Sequence, residues 1–126
     1  MSRLRRRSER GAAESIQVVL IWPVVLLATL GIIQGGLWLH GRNVAIRAAT
    51  IAVDEARGVT GTTDRARSLA IDLATHSGLS EVEVSVIRDG DRAVARVAGR
   101  APVILDLGFG RVDEQAVAPL ERVPGR

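Results

Sequence analysis

The distribution of apolar positions divides the chain into one long uncharged stretch and a remainder with helical and strand-like patterns. Residues 16–39 carry no charged side chain, whereas residues 3–10 carry six. A helix over the uncharged stretch would be about 36 Å long, against a hydrocarbon thickness of about 30 Å in a typical bilayer. The pattern therefore predicts a single helix that crosses a membrane.

The arginines before the uncharged stretch predict the direction of the crossing. Residues 1–11 contain five arginines and one glutamate, and arginine-rich flanks stay on the cytoplasmic side of a membrane. We expect the N-terminus in the cytoplasm and the C-terminus outside it. A cleavable signal peptide is the alternative, but its apolar region is about 7–15 residues long. This stretch is longer and ends in Leu-Trp-Leu-His.

The helix is predicted to continue beyond the membrane. Residues 42–57 contain neither proline nor glycine, and Gly58 is a suitable stop after Arg57. We therefore expect one helix from about Glu14 to Arg57, transmembrane in its first half and amphipathic in its second. The side chains that share a face of the second half are Val44, Ala48, Ile51, Ala52 and Glu55.

Two features within the uncharged stretch bear on helix packing. Pro23 removes one helical hydrogen bond, which predicts either an ordinary kink or a helix that bends during packing. Gly31 and Gly35 are four residues apart and would offer a flat surface to another helix. Pro23, Gly31 and Gly35 are therefore candidate subunit-packing residues.

After Gly58 the pattern predicts a short helix followed by strands. Thr63 is a suitable N-cap for a helix over residues 64–77, and His76 near its end is interpreted as a solvated side chain favoured by the helix dipole. The apolar positions that recur with helical spacing are Ala66, Leu69, Ala70 and Leu73.

The two strands that follow alternate between apolar and polar residues. Residues 81–87 and 92–98 are predicted to form a hairpin with Asp89-Gly90 as its two-residue turn. This turn would place Val86 opposite Ala93, Val84 opposite Ala95 and Val82 opposite Val97. It would also place Glu83 opposite Arg96 on the polar face. The apolar face requires a cover, for which helix 64–77 is the nearest candidate.

The remaining segment contains a third apolar run. Residues 102–107 are interpreted as a third, edge strand, because Pro102 leads them. The predicted class is therefore α+β: a long N-terminal helix with a small extracytoplasmic domain of one helix and a two- or three-stranded antiparallel sheet. The expected division is a basic leader over 1–11, the long helix over 12–57, the small domain over 58–107 and a loose tail over 108–126.

Composition excludes most catalytic chemistry. The chain has no cysteine and two histidines, which are too few for a histidine- or cysteine-built metal centre. Its three aromatic side chains argue against a large soluble enzyme core. The adjacent acids at 54–55 and 113–114 point apart, and Gly108-x-Gly110 is half of a nucleotide-binding motif. The basic leader lacks interleaved aromatic residues, so we expect no nucleic-acid partner. No enzymatic activity, metal or cofactor is predicted.

The segment over residues 10–57 resembles the TadE-like family of pilin-like proteins, which serve tight-adherence (Flp) pilus assembly and type IV pilus-like secretion systems. The resemblance rests on an ordered set of features. These are Arg10-Gly11, Pro23, Arg42-Asn43-Val44, Ala48-Ala49 and Ala56-Arg57.

The resemblance implies processing by a prepilin-type peptidase. The cut would follow Gly11 and leave Ala12 as the new N-terminus. Pilin-like proteins usually carry a glutamate five residues after the cut, which pairs with the terminal amine of a neighbouring subunit. This chain has Ile16 there, with Glu14 at the third position and Gln17, the candidate equivalent, at the sixth. Glu14 and Gln17 are therefore further subunit-packing candidates.

These observations lead to a non-enzymatic, pilin-like component in the cell membrane, with a pilus or cell-surface location after processing. Its expected partners are the lipid bilayer, a prepilin-type peptidase, and other pilin-like subunits or a Tad secretion platform. The alternatives are a permanently anchored accessory protein of the same family that is never processed or incorporated into a fibre, and an unrelated membrane-tethered binding domain.

Overall fold

The structure is a computed structural model that describes the backbone of residues 2–122 and the side chains of residues 9–122. Within this range the chain forms a long helix, a second helix and a three-stranded antiparallel sheet, so the predicted α+β class is confirmed. The chain divides into two compact units, Met1–Gly35 and Gly36–Arg126. The arginine side chains of the predicted leader before residue 9 lie outside the described part.

Helix α1 covers Ser2–Arg57 with Pro23 inside it, and it ends where the sequence predicts. It begins well before Glu14. The part of α1 within the unit Gly36–Arg126 buries a face of small residues. Ile51, predicted to lie on that face, is exposed, because the buried face turns toward the alanines of the helix. The buried positions are Gly41, Val44, Ala45, Ala48, Ala49, Ala52, Val53 and Ala56.

Helix α2 covers Thr63–His76, one residue earlier than predicted. Its N-cap is Thr62 and not Thr63, because the Thr62 hydroxyl oxygen accepts a hydrogen bond from the backbone N–H of Arg65 at 3.2 Å. The buried stripe consists of Ala66, Ala70 and Ala74. Leu69 is exposed, so its predicted burial is wrong.

Strands β1 (Ser80–Asp89), β2 (Arg92–Arg100) and β3 (Arg111–Pro119) form one sheet in the order β1-β2-β3. The predicted hairpin is present, but the predicted register is wrong by two residues. Val86 lies opposite Ala95, Val84 opposite Val97 and Ser85 opposite Arg96.

The turn between β1 and β2 explains the error in register. Its two central residues are Gly90 and Asp91, not Asp89 and Gly90. Gly90 has a φ of 59°, as the first central position of a type II′ turn requires. Because the pairing moves by two residues, each valine keeps its face of the sheet. Glu83 consequently lies opposite Ala98, and its predicted pairing with Arg96 is wrong.

The third strand does not lie where the sequence predicts. Residues 102–107 form part of a loop, and the strand is Arg111–Pro119, within the segment predicted to be a loose tail. Strand β3 pairs with β2 from Arg100↔Arg111 to Arg92↔Pro119. The hydrogen bonds to β2 order this segment. The end of the predicted tail, residues 123–126, lies outside the described part.

The core of the unit Gly36–Arg126 contains side chains from α1, α2 and all three strands. Most of them are alanines and valines. Val97, on the central strand, is the largest fully buried side chain among those described. Small side chains let helices and sheet approach closely. Gly41 shows this best, because a Cβ atom there would lie 2.4 Å from the Cβ atom of Ala101.

Candidate functional site

The predicted processing site lies in the unit Met1–Gly35. Gly11 and Ala12 are exposed and helical, and the Ser15 hydroxyl donates a hydrogen bond to the carbonyl oxygen of Gly11 at 2.8 Å. A helical peptide bond has its backbone groups engaged, so a peptidase would have to unwind this turn before cutting. The peptide bond after Gly11 is therefore exposed, but its backbone is helical and not extended.

The packing candidates of the same unit are also on the surface. Glu14 and Gln17 are exposed and three residues apart, which places them on one helical face. Apart from the adjacent residues and the backbone of the helix itself, no described atom lies within 4 Å of the position that a Cβ atom would take at Gly31 or Gly35. Both glycines thus present open backbone surface.

The apolar side chains around these residues are exposed as well. The described part of α1 from Glu9 to Arg57 is long and apolar enough to cross a membrane, and none of its apolar window is buried within the protein. Leu20, Trp22, Leu27 and Ile32 each expose well over half of their surface. Exposed apolar area on this scale requires a lipid or protein cover.

In the second unit, polar contacts attach the first turns of helix after Gly36 to the sheet and to α2. The Trp38 indole Nε1–H donates to the carbonyl oxygen of Arg111 at 3.4 Å. Arg42 donates through Nε to Glu114 Oε1 at 2.9 Å, and its guanidinium lies 6.0 Å from the Trp38 ring centroid. His40 Nε2 lies 3.3 Å from the carbonyl oxygen of Ser77. These contacts fix where α1 joins the domain.

The adjacent acids point apart, as the sequence predicts. On β3, Glu114 pairs with Arg42 of α1, whereas Asp113 on the opposite face receives two hydrogen bonds from Arg96 of β2. At the end of α1, Asp54 lies 3.2 Å from Arg57, and Glu55 lies 3.3 Å from Arg65 of α2. Each acid has its own arginine, and three of the four pairs connect different elements of the fold, whereas Asp54 and Arg57 both belong to α1.

The pair Arg96–Asp113 contains a carboxyl group whose pKa is lowered in the folded protein. Hydrogen bonds from the Arg96 guanidinium hold the pKa of Asp113 below its ordinary value, and the positive charges of Arg96 and Arg111 act in the same direction. A carboxyl group with a lowered pKa in the folded state stabilises that state above its unfolded pKa. This contribution disappears as the pH falls through the folded-state pKa.

We expect Asp113→Asn to lower the melting temperature of the full chain in detergent at neutral pH by a small amount, because the pair is partly exposed. The difference from the wild type should begin to shrink as the pH falls below the ordinary aspartate pKa of about 3.9, and should disappear once the pH is below the lowered folded-state pKa of Asp113. Circular dichroism melts across this range measure it. Asp64→Asn on α2 is a matched control. A difference that persists at low pH would contradict the assignment.

Within residues 9–122 no three His, Cys, Asp or Glu side chains are grouped as metal ligands would be. His76 Nδ1 lies 2.7 Å from the carbonyl oxygen of Asp72 in the last turn of α2. Because a carbonyl accepts hydrogen bonds, Nδ1 carries the proton. His76 therefore completes the end of its helix.

Sequence reasoning missed the contacts of Gly41 with Ala101 and of Arg42 with Glu114. Gly41 interrupts an otherwise glycine-free segment, and Arg42 belongs to the Arg42-Asn43-Val44 feature of the resemblance. The sequence therefore marks Gly41 and Arg42 as unusual positions, but it does not indicate which residues they contact. The partners lie on β3 and its preceding loop, which the sequence did not locate.

Comparison with known families locates the resemblance. Residues 12–54 match the family model described as TadE-like protein. This segment is similar to the TadE-like family. The match covers about a third of the chain, beginning one residue after Gly11 and ending near the end of α1. No curated protein and no solved structure gives a significant match to the chain.

Proposed function

We propose that this protein is a non-enzymatic, pilin-like component of a Tad/Flp-type pilus or type IV pilus-like secretion apparatus. It is anchored in the membrane by residues 16–39 of α1. The observation that carries the proposal is the coincidence of the TadE-like match over residues 12–54 with an uncharged, exposed helix.

The physical basis is the exposed apolar surface of α1. Burial of apolar area contributes about 25 cal/mol per Å², so a helix with this many exposed leucines, valines and isoleucines is strongly driven out of water. A bilayer covers it before assembly. The helices of neighbouring subunits could cover it afterwards, and the open backbone at Gly31 and Gly35 suits close helix contact.

The unit Gly36–Arg126 supplies the surface for contacts outside the membrane. It has its own buried core and an exposed sheet face with paired charges, and these features suit contacts outside the membrane. The protein therefore acts through helix packing and through the surface of this domain.

A permanently anchored accessory protein is the second candidate, and two observations favour it. Ile16 occupies the position where pilin-like proteins carry a glutamate, and Gln17 supplies no charge. The bond after Gly11 lies within a helix. In this alternative the leader remains attached and the domain organises a secretion complex without entering a fibre.

Mass spectrometry of the intact protein, expressed with a prepilin-type peptidase, distinguishes the two. The pilin-like role predicts a chain that begins at Ala12 and is lighter by the mass of residues 1–11. Gly11→Leu should keep the full mass, because glycine precedes the cut. Wild-type protein expressed without the peptidase is the reference. An intact leader on the wild type beside an active peptidase would refute the processed, pilin-like role and would support a permanently anchored protein, either the accessory protein or the unrelated membrane-tethered domain.

A further inference from the structure

The loop between β2 and β3, residues 101–110, exposes apolar side chains in the domain. Leu107 is 67% exposed and Phe109 is 79% exposed, and Ile104 and Leu105 are each more than half exposed. Large apolar side chains grouped at one loop generally mark an interaction surface. The pilin-like role described above does not use them.

The loop is closed and ordered by its own hydrogen bonds. Ala101 N–H donates to the carbonyl oxygen of Gly110 at 2.8 Å, which joins the two ends. The single charged residue within the loop, Asp106, accepts from Gly108 N–H at 3.1 Å and from Arg100 at 3.2 Å. Its carboxylate is thus bound at the base, and the exposed surface of the loop is apolar.

The base of the loop contacts the helix residues that directly follow Gly36. Ala101 is packed against Gly41, and Arg111, just after the loop, accepts from the Trp38 indole. The other end of the domain is marked by the last residue of α1, since the Arg57 carbonyl accepts from Glu121 N–H at 2.9 Å. The loop therefore lies at the end of the domain that contains residues 38–41, away from Arg57.

Cationic and aromatic side chains accompany the apolar ones. Arg100 and Arg111 flank the loop in sequence, and Trp38 lies beside its base. Tryptophan is enriched at the level of lipid headgroups, and arginine pairs with phosphate. Exposed apolar side chains in a loop that adjoins an arginine and a tryptophan suit the boundary between headgroups and acyl chains in a bilayer surface.

We propose that residues 101–110 insert into the outer surface of the same bilayer that α1 crosses and hold the domain against it. The inference rests on the proposed anchoring by residues 16–39. A lipid surface fits better than a second copy of the chain, because the loop adjoins the residues that leave the uncharged stretch. Arg111 at the end of the loop complements anionic headgroups, whereas Arg100 is paired with Glu81 and Asp106.

Site-directed spin labelling of the full chain tests the insertion. The chain has no cysteine, so single labels can be placed at Leu107→Cys and, as a second site, Phe109→Cys. Val59→Cys is the matched control, because Val59 is 56% exposed in the loop that follows α1. The protein is reconstituted into vesicles of phosphatidylethanolamine and phosphatidylglycerol. Collision with oxygen, which partitions into lipid, is compared with collision with a water-soluble nickel chelate.

Insertion predicts an oxygen-to-nickel accessibility ratio several-fold higher at positions 107 and 109 than at 59. Equal ratios at all three positions would overturn it. A label shielded from both reagents, and released when the protein is diluted in lipid, would show contact with a second copy and would also overturn it.

A further label at Leu27→Cys separates this inference from the proposed function. A lipid-like ratio at position 27 with an aqueous ratio at 107 and 109 would refute the loop insertion and leave the anchor intact. An aqueous ratio at position 27 would refute the anchor itself, and the loop proposal with it.

Discussion

Val97→Asp is expected to unfold the domain Gly36–Arg126. Val97 is 0% exposed and lies on the central strand, opposite Val84 on β1 and Glu114 on β3. The substitution removes about 1.5–3 kcal/mol of apolar burial and places a carboxylate in an apolar core, which costs several kcal/mol more. The sum is comparable with the whole stability of a small domain, about 5–15 kcal/mol.

Limited trypsin digestion of the full chain in detergent measures this effect. Each strand contains arginine, so unfolding exposes many cleavage sites. Val117→Asp is the matched control, because Val117 is 51% exposed on β3 and receives the same charge. We expect Val97→Asp to be digested rapidly and Val117→Asp to resist almost as the wild type does. Wild-type resistance of Val97→Asp would show that this face of β2 is not in the core.

Gly41→Ala is expected to destabilise the domain by about 1–3 kcal/mol, although alanine is the better helix former. The new Cβ atom would lie 2.4 Å from the Cβ and 3.0 Å from the Cα of Ala101. Backbone must move to relieve this contact. Gly36→Ala is the matched control, because no described atom lies within 4 Å of its Cβ position. That change should be neutral or stabilising by up to about 1 kcal/mol.

Urea unfolding followed by circular dichroism in detergent compares the two variants. Ala101→Gly in the Gly41→Ala background removes the nearer of the two opposing atoms and should restore part of the lost stability. A Gly41→Ala protein as stable as Gly36→Ala would show that α1 does not approach the loop closely at this point. Loss of stability without rescue would place the contact elsewhere.

The third strand shows why sequence reasoning located some elements and missed others. The apolar run over residues 102–107 predicts a strand and the segment after it a loose tail, yet the strand is formed by residues 111–119, which alternate. The alternation was the better signal, since Val112, Ala116 and Ala118 occupy one face. An apolar run shows that a segment avoids water. It does not show whether protein or another apolar phase covers it.

The register of the hairpin was missed for a related reason. Asp89-Gly90 and Gly90-Asp91 are both acceptable turns by composition, and both place the valines on the same face. The choice between the two turns depends on which residues of β2 pair with β3 and pack against the helices. A two-residue change in pairing leaves the hydrophobic pattern unchanged, so the pattern cannot report it.

The candidate site was predicted only in its N-terminal part. Gly11, Glu14, Gln17, Pro23, Gly31 and Gly35 all lie on α1, and the structure leaves their described neighbourhoods open. Their proposed partners belong to other molecules, so their roles in cleavage and subunit packing stay predictions. The contacts of Trp38, Arg42 and Gly41 join positions about 60–73 residues apart, which no local pattern records.

The amino-acid sequence alone predicts the uncharged stretch, the end of α1 at Arg57, the amphipathic α2 and the apolar face of the hairpin. Each of these follows from the spacing of side chains along a few turns or strand residues. The tertiary structure decided the register, the third strand, the close contact at Gly41 and the exposure of residues 104–109. Those features depend on which surfaces meet, and the free energy of that choice comes from packing between distant segments.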